Sequence, residues 1–209
     1  MPKAANDLIL RDRLQFDLVS GQDRTTLYGR LDLSDYVNVV KKDGLSIKEL
    51  FLQPRVQAGD DGVGGETLTN TGMFSQYFAG DIGNPSIDKA CALKVYASTR
   101  AYQNASDVGI ASPDVLCVEE WSCFNSQSGD IAAGQFISHC FHSRYGPMDL
   151  HPDGFIVVSD LLIGVAADNV TLGPVDETTT VELDVMMIAQ PVKITQARLD
   201  EMLAQAQDL

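Results

Sequence analysis

Apolar and polar residues alternate with a period of two along most of this chain. The pattern is cleanest over residues 179–188, where Val181, Leu183, Val185 and Met187 alternate with Thr180, Glu182 and Asp184. Successive side chains of a β-strand point to opposite faces of the sheet, so this spacing predicts a half-buried strand and excludes an amphipathic helix. We predict that the four apolar residues face the core.

Similar runs recur from the N-terminus onward. They cover residues 8–18, 27–33, 45–56, 90–98, 115–123, 131–141 and 154–165. Pro54 lies inside the third run and indicates an edge strand or a bulge there. Long connections separate the runs, and few strand–helix–strand alternations appear. The sequence therefore predicts an all-β fold, an antiparallel β-sandwich of about eight strands with Greek-key (jelly-roll) connections.

One helix is well signalled, and it lies at the C-terminal end. Thr195 is a good N-cap, and Ile194 can pack on Leu199 across the first turn. An apolar stripe at helical spacing follows, formed by Leu199, Met202, Leu203 and Ala206. We expect Pro191 to end the strand ladder before this helix. This divides the chain into a single β-sandwich domain (1–192) and a C-terminal helix (193–209). The stripe either packs on its own domain or forms an interface with a neighbouring subunit.

The charge is distributed unevenly along the 209 residues. Residues 1–60 are neutral, and residues 61–209 carry the whole net charge of −14. The longest basic run is Lys41-Lys42, and phosphate binding needs clustered cations, so we expect no tight binding to nucleic acid. No apolar run approaches about 18 residues, which predicts no membrane span. The first seven residues lack the apolar core of a signal peptide, and export is therefore not expected.

An acidic, glycine-rich loop is predicted at residues 58–72. Asp60, Asp61 and Glu66 offer hard oxygen ligands on a flexible backbone, as Ca²⁺ requires. The alternative is a solvated acidic loop without a metal. No cofactor other than this calcium ion is expected.

The histidines and cysteines give no catalytic signature. His139, His142 and His151 lie close together in the sequence, and a zinc site of Cys140, His142 and His151 is geometrically feasible, but the spacing matches no zinc motif. No G-x-S-x-G elbow is present. We therefore predict that the chain is not an enzyme. Cys91, Cys117, Cys123 and Cys140 contain no CxxC pair, which indicates free, mostly buried thiols in a reducing compartment.

The pattern resembles the single jelly-roll coat proteins of small icosahedral viruses. Residues 43–52 look like an early barrel strand entered from a turn, and residues 155–165 and 181–188 look like the closing antiparallel pair. The resemblance covers about residues 8–190 and is architectural. It implies a capsid protein that assembles with itself into a homo-oligomer or icosahedral shell, is made in the host cytoplasm and resides in the virion.

One feature departs from that family, because coat proteins of this kind often begin with a long basic arm. Only Lys3, Arg11 and Arg13 lie near the start of this chain. A genome packaged by such a shell would have to be neutralised by something other than this chain. The alternatives are a phage decoration or head component, or a non-viral β-sandwich binding module for carbohydrate or protein.

Overall fold

The computed structural model describes residues 7–19, 24–56, 89–126, 137–151, 154–168 and 178–205. These residues form nine strands and two α-helices, with a short 3-10 helix at Ala105–Asp107. The strands are β1 (Leu8–Val19), β2 (Arg24–Leu31), β3 (Asp43–Val56), β4 (Lys89–Ser98), β5 (Val115–Ser126), β6 (Ile137–Tyr145), β7 (Phe155–Val157), β8 (Leu161–Asp168) and β9 (Thr178–Lys193). The helices are α1 (Pro147–Leu150) and α2 (Gln196–Gln205).

The strands form two antiparallel sheets. The four-stranded sheet has the order β1-β9-β3-β7, and the five-stranded sheet has the order β2-β8-β4-β5-β6. The pairing is nested along the chain: β1 pairs with β9, β2 with β8, β3 with β7, and β4 with β5. The all-β sandwich predicted from the alternation is therefore present in the described residues.

The space between the sheets holds the main core. Val181, Leu183, Val185 and Met187 are 1–3% exposed, and β9 lies between β1 and β3, so the predicted central strand is confirmed. The alternation on β4 is also confirmed, because Leu93, Val95 and Ala97 are buried in this core. Opposite them on β4, Tyr96 and Ser98 are also fully buried, in a second layer outside the five-stranded sheet.

The single strand predicted over residues 154–165 is wrong. The chain forms β7, turns at Ser159-Asp160, and continues as β8 in the other sheet. Asp160 fixes this turn, because its Oδ1 accepts from the Leu33 amide at 2.8 Å and its Oδ2 accepts from Arg30 Nε at 2.7 Å. The proposed closing pair of 155–165 with 181–188 is consequently wrong too. β7 pairs with β3, while β9 pairs with β1 and β3.

Pro54 and Pro191 lie within strands of the four-stranded sheet. The predicted break at Pro191 is wrong, because β9 continues to Lys193 and Pro191 pairs with Leu45. Pro191 lies beyond the last β1 pair, Leu8–Ala189, where a missing donor disturbs no described ladder on the β1 side. The register shift on β3 falls between Ile47 and Glu49, so no bulge lies at Pro54. In the described residues Pro54 pairs with β9 alone, because β7 pairs only with residues 45–47, so the predicted edge position is confirmed. The division of the chain at residues 192 and 193 stays a prediction.

None of the described helices is long and apolar enough to cross a membrane.

Candidate functional site

Some of the site residues predicted from the sequence lie outside the described part of the chain. The acidic loop at 58–72 is not described, and it includes Asp60, Asp61 and Glu66. The calcium site therefore stays a prediction. Of the helix stripe, Ala206 and the side chain of Leu203 also lie outside the described part.

The start of α2 is packed on its own domain. Thr195 caps the helix as predicted, because its Oγ1 accepts from the Arg198 amide at 3.3 Å. Ile194 is 6% exposed, and its amide donates to the Lys42 carbonyl at 2.9 Å. Leu199 is 4% exposed within the single chain, whereas Met202 is only half-buried. This favours packing of the first helical turn on its own domain, and the interface role of the remaining stripe stays a prediction.

The core between the two sheets, here called the inner layer, contains a buried charge that was not predicted from the sequence. Glu119 on β5 is 3% exposed and lies on the same face as the core residue Cys117. Arg144 Nε donates to Glu119 Oε1 at 3.1 Å, and His142 Nε2 lies 3.2 Å from Glu119 Oε2. The His142 ring stacks on Trp121, with centroids 4.7 Å apart and planes 3° from parallel. Both carboxylate oxygens are thereby satisfied, as a buried charge requires.

Arg144 joins the two sheets at this side of the sandwich. Its Nη2 donates to the Leu50 carbonyl of β3 at 2.6 Å, and its guanidinium lies 4.8 Å from the Phe51 ring centroid. Glu49 contributes a second carboxylate 3.7 Å from Nη2. One arginine thus neutralises a buried glutamate and ties the edge strand β6 to the opposite sheet. The inward parity of Glu119 on β5 was a signal in the sequence for this cluster, because a charge at a core position needs a partner.

The structure gives the histidines separate environments. His142 belongs to the Glu119 cluster, whereas His151 contacts the edge of the Phe155 ring at 4.6 Å between centroids. Within the described ranges no three His, Cys, Asp or Glu side chains are arranged to hold a metal ion. The side chain of Cys140 lies outside those ranges, as does that of His139.

Cys117 is a buried thiol, as predicted for the cysteines. Burial, with the nearby Glu119 carboxylate as a smaller cause, raises the pKa of Cys117 to about 12. The thiolate is the reactive form of cysteine, so this residue is inert at neutral pH. The side chains of Cys91, Cys123 and Cys140 lie outside the described residues.

Several large apolar side chains are exposed on the described surface. They are Ile9, Tyr36, Val39, Val40, Phe51, Ile110, Phe141 and Tyr145. Most are between 37% and 61% exposed, which is ordinary for single apolar residues at a protein surface. Val40 differs from the others, because it is 92% exposed and adjoins Val39 in the loop between β2 and β3.

Comparison with known proteins gives weak structural similarity and no sequence match. No family model matches the chain, and no curated protein sequence matches it. Among solved structures, a chain from Desmodium yellow mottle tymovirus is similar over 94% of this chain and 88% of that chain, with 8% identity and a TM-score of 0.29. At that score the similarity adds nothing to what the strand pairing itself indicates.

Proposed function

We propose that this chain is a self-assembling, non-catalytic coat subunit with a jelly-roll fold, a structural protein of a virion. The observation that carries the proposal is the nested strand pairing. A jelly roll forms when one long antiparallel hairpin is wrapped around a barrel, so that strands pair from the ends of the chain inward. The pairs β1–β9, β2–β8, β3–β7 and β4–β5 follow this rule. β6 is then a strand added to the jelly roll, at the edge of the sheet next to β5.

The filling of the barrel supports a structural role over the other uses of this topology. Jelly rolls include capsid domains, lectins and metal-binding cupins. A cupin-type enzyme needs metal ligands directed into the barrel. In the described residues the barrel interior instead holds apolar side chains such as Leu45, Ile47 and Leu161, each 0% exposed. The charged group described there, Glu119, is held by Arg144 and His142 in a contact that joins the sheets.

The charge of the chain supports a role in which protein contacts protein. With a net charge of −14 and no basic run longer than Lys41-Lys42, the subunit is not expected to bind the genome tightly, and its contacts in the shell are proposed to be with other protein subunits. Localisation in the virion after synthesis in the host cytoplasm belongs to the same proposal.

Light scattering coupled to size exclusion tests the proposal on the full chain. Megadalton particles, or stable trimers, pentamers or hexamers, are the expected result. A stable small oligomer that adds to preformed phage heads would favour a decoration protein instead. A clean monomer at every concentration up to about 100 μM, above ordinary micromolar affinities, contradicts the coat function and favours a binding module.

Nucleic-acid binding is tested separately by gel shift. Single- and double-stranded DNA and RNA are each titrated at about 0.15 M salt, where the Debye length is about 8 Å. We expect no sub-micromolar complex. Sub-micromolar binding would contradict the proposed separation between shell and genome.

A further inference from the structure

The loop between β2 and β3 ends in an exposed apolar tip. Val40 is 92% exposed and Val39 is 40% exposed. Turns usually place Gly, Asn, Asp or Ser at such positions, because these residues suit both the backbone and the solvent. Two adjacent β-branched apolar residues at a tip serve neither purpose.

Hydrogen bonds hold this tip in place despite its exposure. Asn38 and Asp43 exchange two backbone hydrogen bonds, of 2.8 and 2.9 Å, across its base. The Asn38 side chain accepts from the Lys41 amide at 3.0 Å, and Lys42 has a positive φ of 58°. The amide of Ile194 fastens the loop to the domain through the Lys42 carbonyl. A preformed tip loses little conformational entropy when it binds a partner.

The tip is also cationic in a chain that is strongly acidic. Lys41 and Lys42 follow the valines directly, and among the described residues neither ammonium group is within ion-pair distance of a carboxylate. The tip therefore fits an apolar surface with an acidic border.

A groove with these properties opens beside the base of the same loop. It has a volume of about 210 Å³, and the buried residues Leu31, Val185 and Met187 contribute to its floor. Asp12 and Asp32 lie at its border with Arg11, which leaves the border with one net negative charge. Hydrogen bonds from Ser34 to Asp32 lower the pKa of that carboxyl, so it is ionised at neutral pH.

We propose that two copies of this chain associate by inserting the Val39-Val40 tip of each into the groove of the other. Tyr36 belongs to the loop and also lines the groove, so tip and groove are neighbours on one surface. A two-fold axis beside them lets both contacts form at once, as a self-complementary interface requires. Lys41 and Lys42 then lie near the partner's acidic border. This contact rests on the proposed function, because it assigns one of the subunit contacts of the assembly.

The first test is the variant Val40→Asp, measured by sedimentation velocity of the full chain over a range of concentrations. The change places a carboxylate in an apolar groove with an acidic border, so we expect the dissociation constant to rise at least about 100-fold. Val40 is 92% exposed, so the fold should be unaffected, and unchanged thermal unfolding checks this.

Ile110→Asp is the matched control, because Ile110 is also an exposed apolar residue, 57% exposed, on a different loop. Its self-association should equal that of the parent. Equal weakening by both variants would mean that added negative charge alone acts, and the tip contact would be overturned.

A charge exchange tests the pairing of tip and groove directly. Lys41→Glu with Lys42→Glu should weaken association by at least about 10-fold, and adding Asp12→Lys should restore most of it. Asp12 is exposed and bonds only the adjacent Arg13 amide in the described structure, so the fold should tolerate the change. Failure of the added change to restore association would overturn the assignment of the groove.

The outcomes separate this contact from the coat function. If the parent forms particles and Val40→Asp does not, both stand. If both form particles, the tip contact fails and the coat function stands. If the parent forms only a dimer that Val40→Asp dissociates, the tip contact stands and the coat function fails. A parent that remains monomeric overturns both.

Discussion

Around β4, both faces of the five-stranded sheet are buried, but by different means. On the inner face, Leu93, Val95 and Ala97 pack against the other sheet, as their alternation predicts. On the outer face, Tyr96 and Ser98 are 0% exposed although they occupy the positions that face solvent in a simple two-layer sandwich. The segment between β4 and β5 covers them, with Ala105 and Val108 contributing to a second apolar cluster.

The outer layer is organised by polar contacts as well as apolar ones. Tyr28 Oη lies 2.6 Å from Tyr96 Oη, donates to the Tyr102 carbonyl at 2.9 Å, and accepts from the Tyr102 amide at 2.6 Å. With Tyr96 as the donor, the Tyr28 hydroxyl donates once and accepts twice, which is its full capacity. Lys94 reaches across to the Val108 carbonyl and pairs with Glu120 at 3.1 Å. The inner layer is apolar apart from the Glu119 cluster, whereas the outer layer is also tied to its covering segment by hydrogen bonds.

The largest effect is expected from a charge in the inner layer. Val185→Asp buries an unpaired carboxylate between the sheets and should lower the free energy of unfolding by roughly 3 kcal/mol or more, measured by urea denaturation. Asp184→Asn is the control on the opposite face of β9. Asp184 accepts from Arg13 at 2.7 Å in a solvent-exposed pair, so its replacement should lower the free energy of unfolding far less than Val185→Asp does. Equal midpoints for Val185→Asp and the parent would show that the face assignment is wrong.

Adding a methyl group at Gly164 tests how tightly the outer face of the five-stranded sheet is packed. The Tyr96 ring lies directly over Gly164 of β8, so a Cβ at that position would overlap the ring carbons. Because Tyr96 is fully buried, we expect Gly164→Ala to cost about 2–3 kcal/mol in urea denaturation.

Gly109→Ala provides the matched control, because a Cβ at Gly109 meets nothing within 4 Å in the described structure. That variant should change stability by no more than about 0.5 kcal/mol. If the two alanine variants behave alike, the outer layer is not tightly packed and differs from the inner one in order as well as in chemistry.

Substitution of Arg144 tests the charged part of the inner layer. Among the described residues, Arg144→Leu leaves Glu119 buried with His142 as its remaining partner, and should cost about 2 kcal/mol, since the arginine itself is partly exposed. Replacing Glu119 by Leu as well removes the unpaired charge, so the double variant should recover most of the loss. A double variant no more stable than Arg144→Leu would mean that the bridge to Leu50, and not the buried charge, determines the effect.

The smallest expected effect is a change of stability with pH, which measures how completely water is excluded from the inner layer. The pKa of Cys117 is raised to about 12, so above pH 9 the unfolded chain loses this proton while the folded chain keeps it. Stability is therefore present below the ordinary pKa and falls as pH rises, by about 1 kcal/mol per unit above pH 9. We expect the difference in unfolding free energy between parent and Cys117→Ala to shrink by about this amount from pH 9 to 10. A constant difference would place Cys117 in contact with water.

The candidate contact surfaces were only partly visible in the sequence. The pair Lys41-Lys42 and the valines before it are evident as residues, but their exposure depends on the Asn38–Asp43 bridge. The groove is assembled from β1, β9 and the start of the loop, which are far apart along the chain. The Glu119 cluster likewise joins residues from β3, β5 and β6. Sites of this kind depend on which strands become neighbours.

The sequence by itself determined most of the strands, the inward faces of β4 and β9 and the cap of the C-terminal helix, because these follow from local spacing and from residues a few positions apart. Only the tertiary structure decided that the predicted strand 154–165 splits between sheets, since Asp160 turns the chain by binding Leu33 and Arg30. Only the tertiary structure decided that Tyr96 is buried, since burial on the outer face depends on a covering segment. Alternation fixes which side of a strand is apolar, whereas the partner of each side is set by contacts distant in the chain.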